Sequence, residues 1–451
     1  MTYDVRAAFA GGTTTWSSSA TGRRAVGVVG RLWEYATDAA SPTWVTFPAE
    51  TCPSTETRCD DLEASSLGLE RYYRLTLNAP GATPLTTEVV SGRRLAFTEV
   101  NGGFYSMCAI DTLGRLWTWG RFRPAGNPDE DDWLGTLVPR VRDEGPFTSC
   151  SSGGVEGAGS EMFPPGFGCA MTTEGGARCG IFLTDESLTD MTELGSGLRA
   201  LDVGPTAACA VDAQGQARCW GRGALLGNLL GSDSATPGQV LEEDGTPLID
   251  LTGIDVGAGH VCARSSAGLL WCWGENSAGQ LGDDEPGTRH FATEVPGISA
   301  ATSVVVGQNH TCSLLANEEL RCFGQNAYGE LGDGTQDNRT NPGPVFASLE
   351  PDVSLASVKQ AIGFQSTTCA LRPLNSLCWG EGWEGQRGDG TYETAAPLPR
   401  LVQLPGPATD IAGGRSTACA IVDGSIWCWG SGHLGDGTTT ARATPGEVTL
   451  P

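Results

Sequence analysis

Cysteine is the residue of this chain best suited to covalent or metal chemistry, with sixteen copies among 451 residues. Most copies fall in pairs that are nine or ten positions apart. Such a pair can form a disulfide, bind zinc, or be buried as two small side chains. Zinc ligands usually come as close C-x-x-C pairs, and the sequence has none. We therefore predict disulfides at six pairs: Cys169–Cys179, Cys209–Cys219, Cys262–Cys272, Cys312–Cys322, Cys369–Cys378 and Cys419–Cys428.

The residues between the paired cysteines favour β-hairpins in which the two sulfurs face each other. Between the last pair, the opposed positions leave Asp423-Gly424 as a two-residue loop, the dipeptide that a type I′ turn prefers. Where the two cysteines are ten positions apart instead of nine, we predict a three-residue loop whose last residue is a glycine in the left-handed conformation. Gly175, Gly215 and Gly268 occupy that position. In the sixth pair Asn317 precedes Glu318, so this turn is expected to be built differently. Opposed Cα atoms should lie about 4.5 to 5.5 Å apart, within reach of a disulfide.

Four cysteines remain outside these hairpins. Cys52 and Cys59 are predicted to close a short loop of their own, whereas Cys108 and Cys150 could join neighbouring units or stay free. Disulfides persist in oxidising compartments. The N-terminus has no basic start followed by an apolar run, so no signal peptide is visible. We expect an exported protein, extracellular or at the cell surface, and interpret Met1 as an artificial start or a trimmed mature end.

Motifs of catalysis and cofactor binding are missing from the sequence. It contains no G-x-S-x-G elbow, H-E-x-x-H helix, phosphate-binding loop or dinucleotide fingerprint. The acidic run at residues 129–132 lacks the alternating oxygen ligands and central glycine of a calcium-binding loop. We expect no catalytic residue, no metal site and no cofactor.

Each cysteine pair belongs to a longer unit that recurs roughly every fifty residues. In the last unit a glycine-rich lead at residues 413–417 precedes the hairpin, and a W-G signature and the tail at residues 434–438 follow it. Residues 11–26 align with this pattern although Ser17 and Val26 replace the cysteines, which brings the count to eight hairpins. A unit of short strands cannot bury its own apolar face, and repetition around an axis, as in a β-propeller, buries it.

These motifs resemble the regulator-of-chromosome-condensation (RCC1) repeat family, whose units carry a G-x-x-H-[ST] lead, a hairpin, W-G and a G-Q-L-G tail. Residues 307–311 and 279–282 match that pattern closely. The resemblance implies an all-β propeller of seven blades, the usual number, or eight, the number of hairpins counted. We expect a single propeller domain over residues 1–451 with an inserted loop region at 49–94, and no strand obviously shared between the chain ends. The resemblance also favours a structural role for His260 and His310 over a metal or catalytic one.

The net charge of −25, with Lys359 as the only lysine, argues against nucleic acid and anionic lipid as partners. No segment is apolar enough to insert in a membrane. Guanine-nucleotide exchange and nucleosome docking, two intracellular activities of the family, suit an oxidised acidic chain poorly. Ultraviolet sensing in the plant branch needs tryptophan after the lead glycine, where this chain has Ala258, Gln308, Phe364 and Gly414. The secreted bacterial branch of the family includes a propeller that inhibits β-lactamase by covering it with loops, and this chain resembles that mode of use most.

Insertions between repeats are the candidate binding segments, because repeat proteins place insertions on one rim and use them for recognition. Arginine and aromatic side chains are common interface anchors, although these could equally pack the insertions onto the body. The candidates are Arg71, Tyr72, Tyr73, Arg121, Phe122, Arg123, Trp133, Met162 and Phe163.

We expect a secreted or cell-surface, non-enzymatic propeller that binds a protein partner through rim loops. One alternative is an extracellular hydrolase or lyase with an active site in the axial funnel. Another is a structural module of a surface assembly or fibre. The residues leave the identity of the partner and the oligomeric state open.

Overall fold

The computed structural model describes residues 96–103, 106–122, 134–153, 166–184, 186–347 and 354–448, together with five strands before residue 96. The chain divides into two compact units, residues 1–95 with 450–451 and residues 96–449. The N-terminal repeat at residues 11–26, like Cys52 and Cys59, lies outside the described residues. That one domain spans both units remains a prediction.

The described strands of the first unit form one antiparallel sheet in the order β2-β1-β3-β4, with β5 also paired to β3. The segment predicted as an inserted loop at residues 49–94 thus contains three strands. The five strands are β1 (Gly30–Ala36), β2 (Val45–Thr46), β3 (Arg71–Asn78), β4 (Leu85–Thr86) and β5 (Val90–Gly92).

The second unit contains seven four-stranded antiparallel sheets among its described residues, each built from four consecutive strands. The first three sheets are blade 1 (Phe97–Gly102, Ser106–Asp111, Leu116–Phe122, Leu134–Asp143), blade 2 (Phe147–Ser152, Phe167–Thr172, Ala177–Ile181, Thr189–Asp190) and blade 3 (Ala200–Val203, Ala207–Val211, Ala217–Gly221, Ser234–Gln239). The next two are blade 4 (Leu251–Val256, His260–Ser265, Leu270–Gly274, Arg289–Glu294) and blade 5 (Ala301–Val306, His310–Leu315, Leu320–Gly324, Arg339–Pro344). The last two are blade 6 (Gln360–Phe364, Thr367–Leu371, Ser376–Glu381, Ala395–Leu401) and blade 7 (Ala408–Gly413, Thr417–Val422, Ser425–Gly430, Arg442–Glu447). Two short 3-10 helices, Thr192–Leu194 and Gly223–Leu225, lie in the connections.

The seven blades are arranged as an all-β propeller, so the usual family number holds for the ring. The short unit around Cys169 and Cys179 is a blade of its own, although its fourth strand, Thr189–Asp190, has only two residues. Blade 7 packs on blade 1 without a shared strand: the Phe97 amide donates to the Gly424 carbonyl at 3.0 Å, and Trp119 Nε1 donates to the His433 carbonyl at 3.0 Å. Side-by-side blade packing therefore closes the ring.

All six cysteine pairs predicted within hairpins are opposed in the strand register and joined by disulfides. Their Cα atoms are 4.0 to 4.2 Å apart, closer than the expected range and near the spacing of a non-hydrogen-bonded antiparallel pair. Asp423 and Gly424 have φ values of 50° and 77°, as a type I′ turn requires. The expectation for the Cys312–Cys322 turn was wrong, because Glu318 adopts φ 65° and the same conformation as the glycines. The Glu318 side chain forms an ion pair with Lys359.

Cys108 and Cys150 form a seventh disulfide, which joins blade 1 to blade 2. Thr118 lies opposite Cys108 in the hairpin of blade 1, where the other hairpins have a second cysteine. The sulfur of Cys108 therefore has no partner in its own hairpin and bonds to the first strand of the next blade. The sequence left open whether Cys108 and Cys150 are paired or free, and in the structure they are paired.

The first strand of each blade is innermost, next to the first strands of its neighbours. One edge of such a strand has no ladder partner, so its N–H groups need other acceptors. A side chain from the preceding blade supplies the acceptor at five junctions. The amides of Val100, Cys150, Val203, Val256 and Val306 donate to Asp410, Glu99, Ser151, Asp202 and Asp255, respectively, at 2.7 to 2.9 Å.

The two other junctions between blades use different hydrogen bonds. Between blades 5 and 6 the Gln308 amide donates to the Gln365 carbonyl at 2.9 Å. Between blades 6 and 7 the Gln360 side chain donates to the Ile411 carbonyl at 3.2 Å and to Asp410 at 2.7 Å. Every junction of the ring therefore has at least one hydrogen bond across it near the inner strands.

Tryptophans of the W-G signature pack between blades and are fully buried at positions 119, 273, 379 and 429. Trp379 Nε1 donates to the Glu330 carbonyl of blade 5 at 2.9 Å, and Trp429 Nε1 donates to the Gln386 carbonyl of blade 6 at 2.9 Å. A tail glycine of the preceding blade lies under each ring; a Cβ at Gly332 would be 2.7 Å from Trp379 Nε1. The W-G and G-Q-L-G motifs are thus two halves of one contact between neighbouring blades.

His260 and His310 are buried and form hydrogen bonds across the junctions between blades 4 and 5 and between blades 5 and 6, respectively. His260 Nε2 lies 2.7 Å from the Thr311 hydroxyl, which itself donates to the Gln280 carbonyl at 2.8 Å. Because the single hydroxyl proton is used there, Nε2 must be the donor to Thr311. Burial lowers the pKa of His260 to about 3 and that of His310 to about 4. These contacts explain the lead histidines as structural residues.

Gly307→Ala should destabilise the propeller. A Cβ at this position would lie 2.1 Å from Cε1 of His310, so the buried imidazole would have to leave its junction. We expect a loss of about 1–3 kcal/mol in the free energy of unfolding, as for overpacking of a core, measured by urea denaturation. Gly238→Ala is the matched control, since its nearest atom is the Cys219 carbonyl oxygen at 3.8 Å. Equal stability of the two variants would contradict this account.

Glu99→Gln should change how stability depends on pH. Burial raises the pKa of Glu99 to about 8, against an ordinary value of 4.5, even though the Cys150 amide donates to its carboxylate. The stabilising contribution of the protonated carboxyl is full below pH 4.5 and is lost as the pH rises through about 8. Glutamine keeps an acceptor oxygen but cannot ionise. As the pH rises from 5 to 8, the free energy of unfolding of the variant should therefore increase relative to that of the wild type by up to about 1.4 kcal/mol per pH unit. Urea unfolding at several pH values measures this, with the exposed Glu294→Gln as the charge control; a pH-independent difference for Glu99→Gln would refute it.

Candidate functional site

The propeller has two faces that differ in the connections they carry. Because strands alternate in direction, the connections between first and second strands and between third and fourth strands emerge at one end of each blade. We call this end the upper face. The hairpin turns between second and third strands and the links between blades lie at the other end, the lower face. Two long connections, after Phe122 and after Gly153, start from the upper face, and repeat proteins often bind through such insertions.

A cavity of about 320 Å³ opens on the upper face where blades 5, 6 and 7 meet. We call it the upper pocket. Its lining comes from equivalent connections of the three blades and combines amide, hydroxyl, aromatic and charged side chains. The lining residues are Gln308, Asn309, Gln325, Tyr328, Gln365, Ser366, Glu381, Trp383, Glu384, Arg415 and Ser416.

Trp383 is the most unusual residue of this lining. Its side chain is 59% exposed, whereas the tryptophans that pack between blades are buried. The indole Nε1 donates to Oε1 of Glu381 at 2.5 Å, which fixes the orientation of the ring. Burial raises the pKa of Glu381, the charge of Glu384 raises it further, and the hydrogen bond from Trp383 opposes both. The pocket thus presents an oriented aromatic ring beside two acidic side chains.

A chain of polar contacts supports the blade 5 side of the upper pocket. The side-chain amide of Asn309 donates to Oε1 of Gln325 at 3.0 Å, and Nε2 of Gln325 donates to the Glu330 carboxylate at 3.2 Å. The second oxygen of Glu330 accepts the Tyr328 amide at 2.8 Å. Burial raises the pKa of Glu330. These bonds hold the amide side chains in place, so the lining is ordered before any ligand binds.

None of the sequence-predicted binding residues is among the described lining of the upper pocket, and their role stays a prediction. Arg71, Tyr72 and Tyr73 belong to strand β3 of the first unit, where only the backbone is described. Arg121 and Phe122 end the third strand of blade 1, with their backbone alone described. Arg123, Trp133, Met162 and Phe163 lie outside the described residues.

Two features of the sequence could have identified the pocket. Trp383 interrupts the tail pattern, since the equivalent residues of blades 4 and 5 are Ser277 and Ala327. The position after the lead glycine was also misplaced in two units. Strand pairing of Phe364 with Thr367 and the Gly414-to-Thr417 hydrogen bond shift that position by one residue, to Gln365 in blade 6 and Arg415 in blade 7. Gln308, Gln365 and Arg415 are therefore equivalent, and all three line the pocket.

A second acidic cluster lies along the inner strands rather than in the pocket. Burial raises the pKa of both Asp202 and Asp255, and the charge of Asp202 raises that of Asp255 further. Each carboxyl also accepts an amide of the next blade. Among the described residues, no group of three or more histidine, cysteine, aspartate or glutamate side chains is arranged to hold a metal ion. Within the same part of the chain, no helix has the length and apolar character needed to cross a bilayer.

Two repeat models, both described as Regulator of chromosome condensation (RCC1) repeat, match the middle of the chain. One matches residues 252–280 and 301–330, and the other matches residues 267–314. The matched segments lie mainly in the first three strands of blades 4 and 5.

Solved structures with similar folds include Prp20p from Saccharomyces cerevisiae, at 15% identity over 78% of this chain and 77% of that chain, with a TM-score of 0.51. Human WBSCR16 is similar at 15% identity over 83% of this chain and 88% of that chain, with a TM-score of 0.50. The description of Prp20p names binding to Gsp1p and histones as properties of that protein. At this identity the similarity shows the fold alone. The RCC1 repeat matches and the ring of seven blades together fit the RCC1-like propeller family.

Proposed function

We propose that this chain is a secreted or cell-surface, non-enzymatic propeller that binds a protein partner through the connections of its upper face. The observation that carries the proposal is the upper pocket with its exposed Trp383, since large exposed aromatic side chains beside ordered polar groups are typical interface anchors. The ring supplies a rigid base for these connections, as binding loops require.

The long insertions support the same face. The segment after Phe122 connects the third and fourth strands of blade 1, and the segment after Gly153 connects the first and second strands of blade 2. The described ends of both segments lie at the upper face. Candidate residues Arg123, Trp133, Met162 and Phe163 belong to these two segments, and we propose that they serve the same interface as the upper pocket.

The disulfides support an extracellular location, and the net charge supports a protein as the partner. The seven disulfides among the described residues suit an oxidising compartment outside the cell, where such bonds persist. A net charge of −25 disfavours contact with phosphate backbones and favours a partner with a basic surface. A protein partner fits both conditions better than nucleic acid.

The enzyme alternative has one observation in its favour, the carboxyl pair Asp202 and Asp255. Paired carboxyls with raised pKa values occur in acid–base active sites. Each carboxyl, however, accepts an amide of the next blade at 2.7 or 2.8 Å. A carboxyl committed to a backbone hydrogen bond between blades serves the blade junction, and this favours the binding function.

A face-specific capture experiment tests the proposal. Partners would be captured from the native source with the intact chain and with a variant in which a glycine-serine linker of equal length replaces residues 123–133. Leu374→Ser is the control, because Leu374 is 84% exposed on a hairpin turn of the lower face. We expect the insertion variant to lose at least about tenfold in captured partner, equivalent to 1.4 kcal/mol, and the control to lose none. Equal capture by all three proteins, or loss only in the control, would contradict recognition by the upper face.

A further inference from the structure

We propose that the upper pocket is a binding site for the guanidinium group of an arginine side chain, presented by the protein partner and held between the Trp383 ring and the carboxylates of Glu381 and Glu384. The inference rests on the proposed function and names the chemistry that the partner must bring. Three properties of the pocket carry it: its aromatic ring, its acceptors and its charge.

The Trp383 ring supplies a surface on which a cation can stack. Its exposed fraction of 59% makes it the only described tryptophan that is mostly accessible to solvent. The hydrogen bond from its Nε1 to Glu381 orients the ring without covering its faces. Tryptophan is the best aromatic partner for a cation, and arginine is the cation most often found on it.

The remaining lining supplies acceptors for the five N–H donors of a guanidinium. Glu381 and Glu384 flank Trp383 in the chain, and both line the cavity. Gln308 and Gln365, on the connections between the first and second strands of blades 5 and 6, also line the cavity and bring amide oxygens, of which the Gln365 oxygen lies 3.5 Å from the Ser416 hydroxyl. A planar cation with donors on several sides can therefore satisfy acceptors around the cavity, which a compact ammonium cannot do as completely.

The charges around the cavity favour a cation over an anion. Arg415 is the single positively charged residue of the lining, and it already takes part in interactions within the protein. Glu330 adds a third carboxyl, buried behind the amide side chains of blade 5. The net charge of −25 adds a long-range attraction for basic partners. A cavity of about 320 Å³ is at the small end of ligand pockets, so it fits one side chain rather than a folded surface.

Protonation of Glu381 gives the site a measurable signature. Burial raises the pKa of this carboxyl above its ordinary value. A guanidinium beside it would lower that pKa again, because the opposite charge favours the ionised form. Binding should therefore release protons and tighten as the pH rises from about 4.5 through the raised pKa, with Glu384, Glu330 and Arg415 as the other charged groups around the site.

The test uses the full chain and N-acetyl-arginine amide as the probe, with the isosteric but neutral N-acetyl-citrulline amide as the comparison. Binding is followed by the indole NMR signal of Trp383 and by calorimetry in two buffers of different ionisation enthalpy. We expect the arginine probe to shift the Trp383 signal and release protons, and the citrulline probe to do neither. Lysine amide and methyl glucoside are added to identify the recognised group.

The variants separate the pocket from the rest of the face. Glu384→Gln and Trp383→Ala should each weaken arginine binding about tenfold, which corresponds to 1.4 kcal/mol, whereas Trp383→Phe should retain most of it. Tyr392→Ala is the matched control, since Tyr392 is 54% exposed on the same connection but lies outside the lining. Equal binding of citrulline, preferred binding of lysine or glucoside, or the same loss in Tyr392→Ala would overturn the inference.

Failure of this inference is distinguishable from failure of the proposed function. If the insertion variant loses the partner but the arginine probe does not bind, the upper face is an interface and the arginine site is refuted. If the arginine probe binds and Trp383→Ala also loses the partner, both proposals are supported. If the probe binds and neither upper-face variant loses the partner, the pocket is an arginine site but the protein interface is refuted.

Discussion

The unpaired inner edge of the first strand is the constraint on which this propeller depends. Seven such edges face the axis, and their buried N–H groups cannot be left without acceptors at a cost of about 1–3 kcal/mol each. The preceding blade supplies a carboxyl or hydroxyl at five junctions, with Asp255 accepting the Val306 amide as one example. An unpaired strand edge can pair with a strand of another chain, and here the same edge instead forms specific hydrogen bonds between consecutive blades.

Rigidity of the upper face follows from this arrangement rather than from the disulfides alone. Six disulfides lie within hairpins and stiffen individual blades, and among the described residues only Cys108–Cys150 joins two blades. Inner-strand hydrogen bonds, the W-G tryptophans and the lead histidines join the blades to one another. The upper pocket is built from three blades, so its shape depends on those junctions. A site held in this way is ordered before a partner arrives, which limits the entropy cost of binding.

Local features of the fold could be predicted from the sequence because each depends on a few neighbouring residues. The spacing of Cys419 and Cys428 determines their opposed register, and Asp423-Gly424 determines the turn between them. The inner-strand acceptors could not be predicted in the same way. Asp202 and Asp255 occupy one strand position, whereas Glu99 and Asp410 perform the same role from a position two residues earlier relative to the lead. Trp383 was missed because its role depends on residues of three blades, which no single repeat contains.

Amide hydrogen exchange at Val306 tests the central claim most directly, because this amide has the Asp255 carboxyl as its acceptor across a junction. The Val100 amide, bound to Asp410 at 2.8 Å at another junction, is the internal reference. We expect both amides to exchange as slowly as those of central strands, and Asp255→Ala to accelerate Val306 at least about tenfold while Val100 stays protected. Fast exchange at Val306 in the unmodified chain, or an unchanged rate in the variant, would contradict a ring held together by these inner-edge hydrogen bonds.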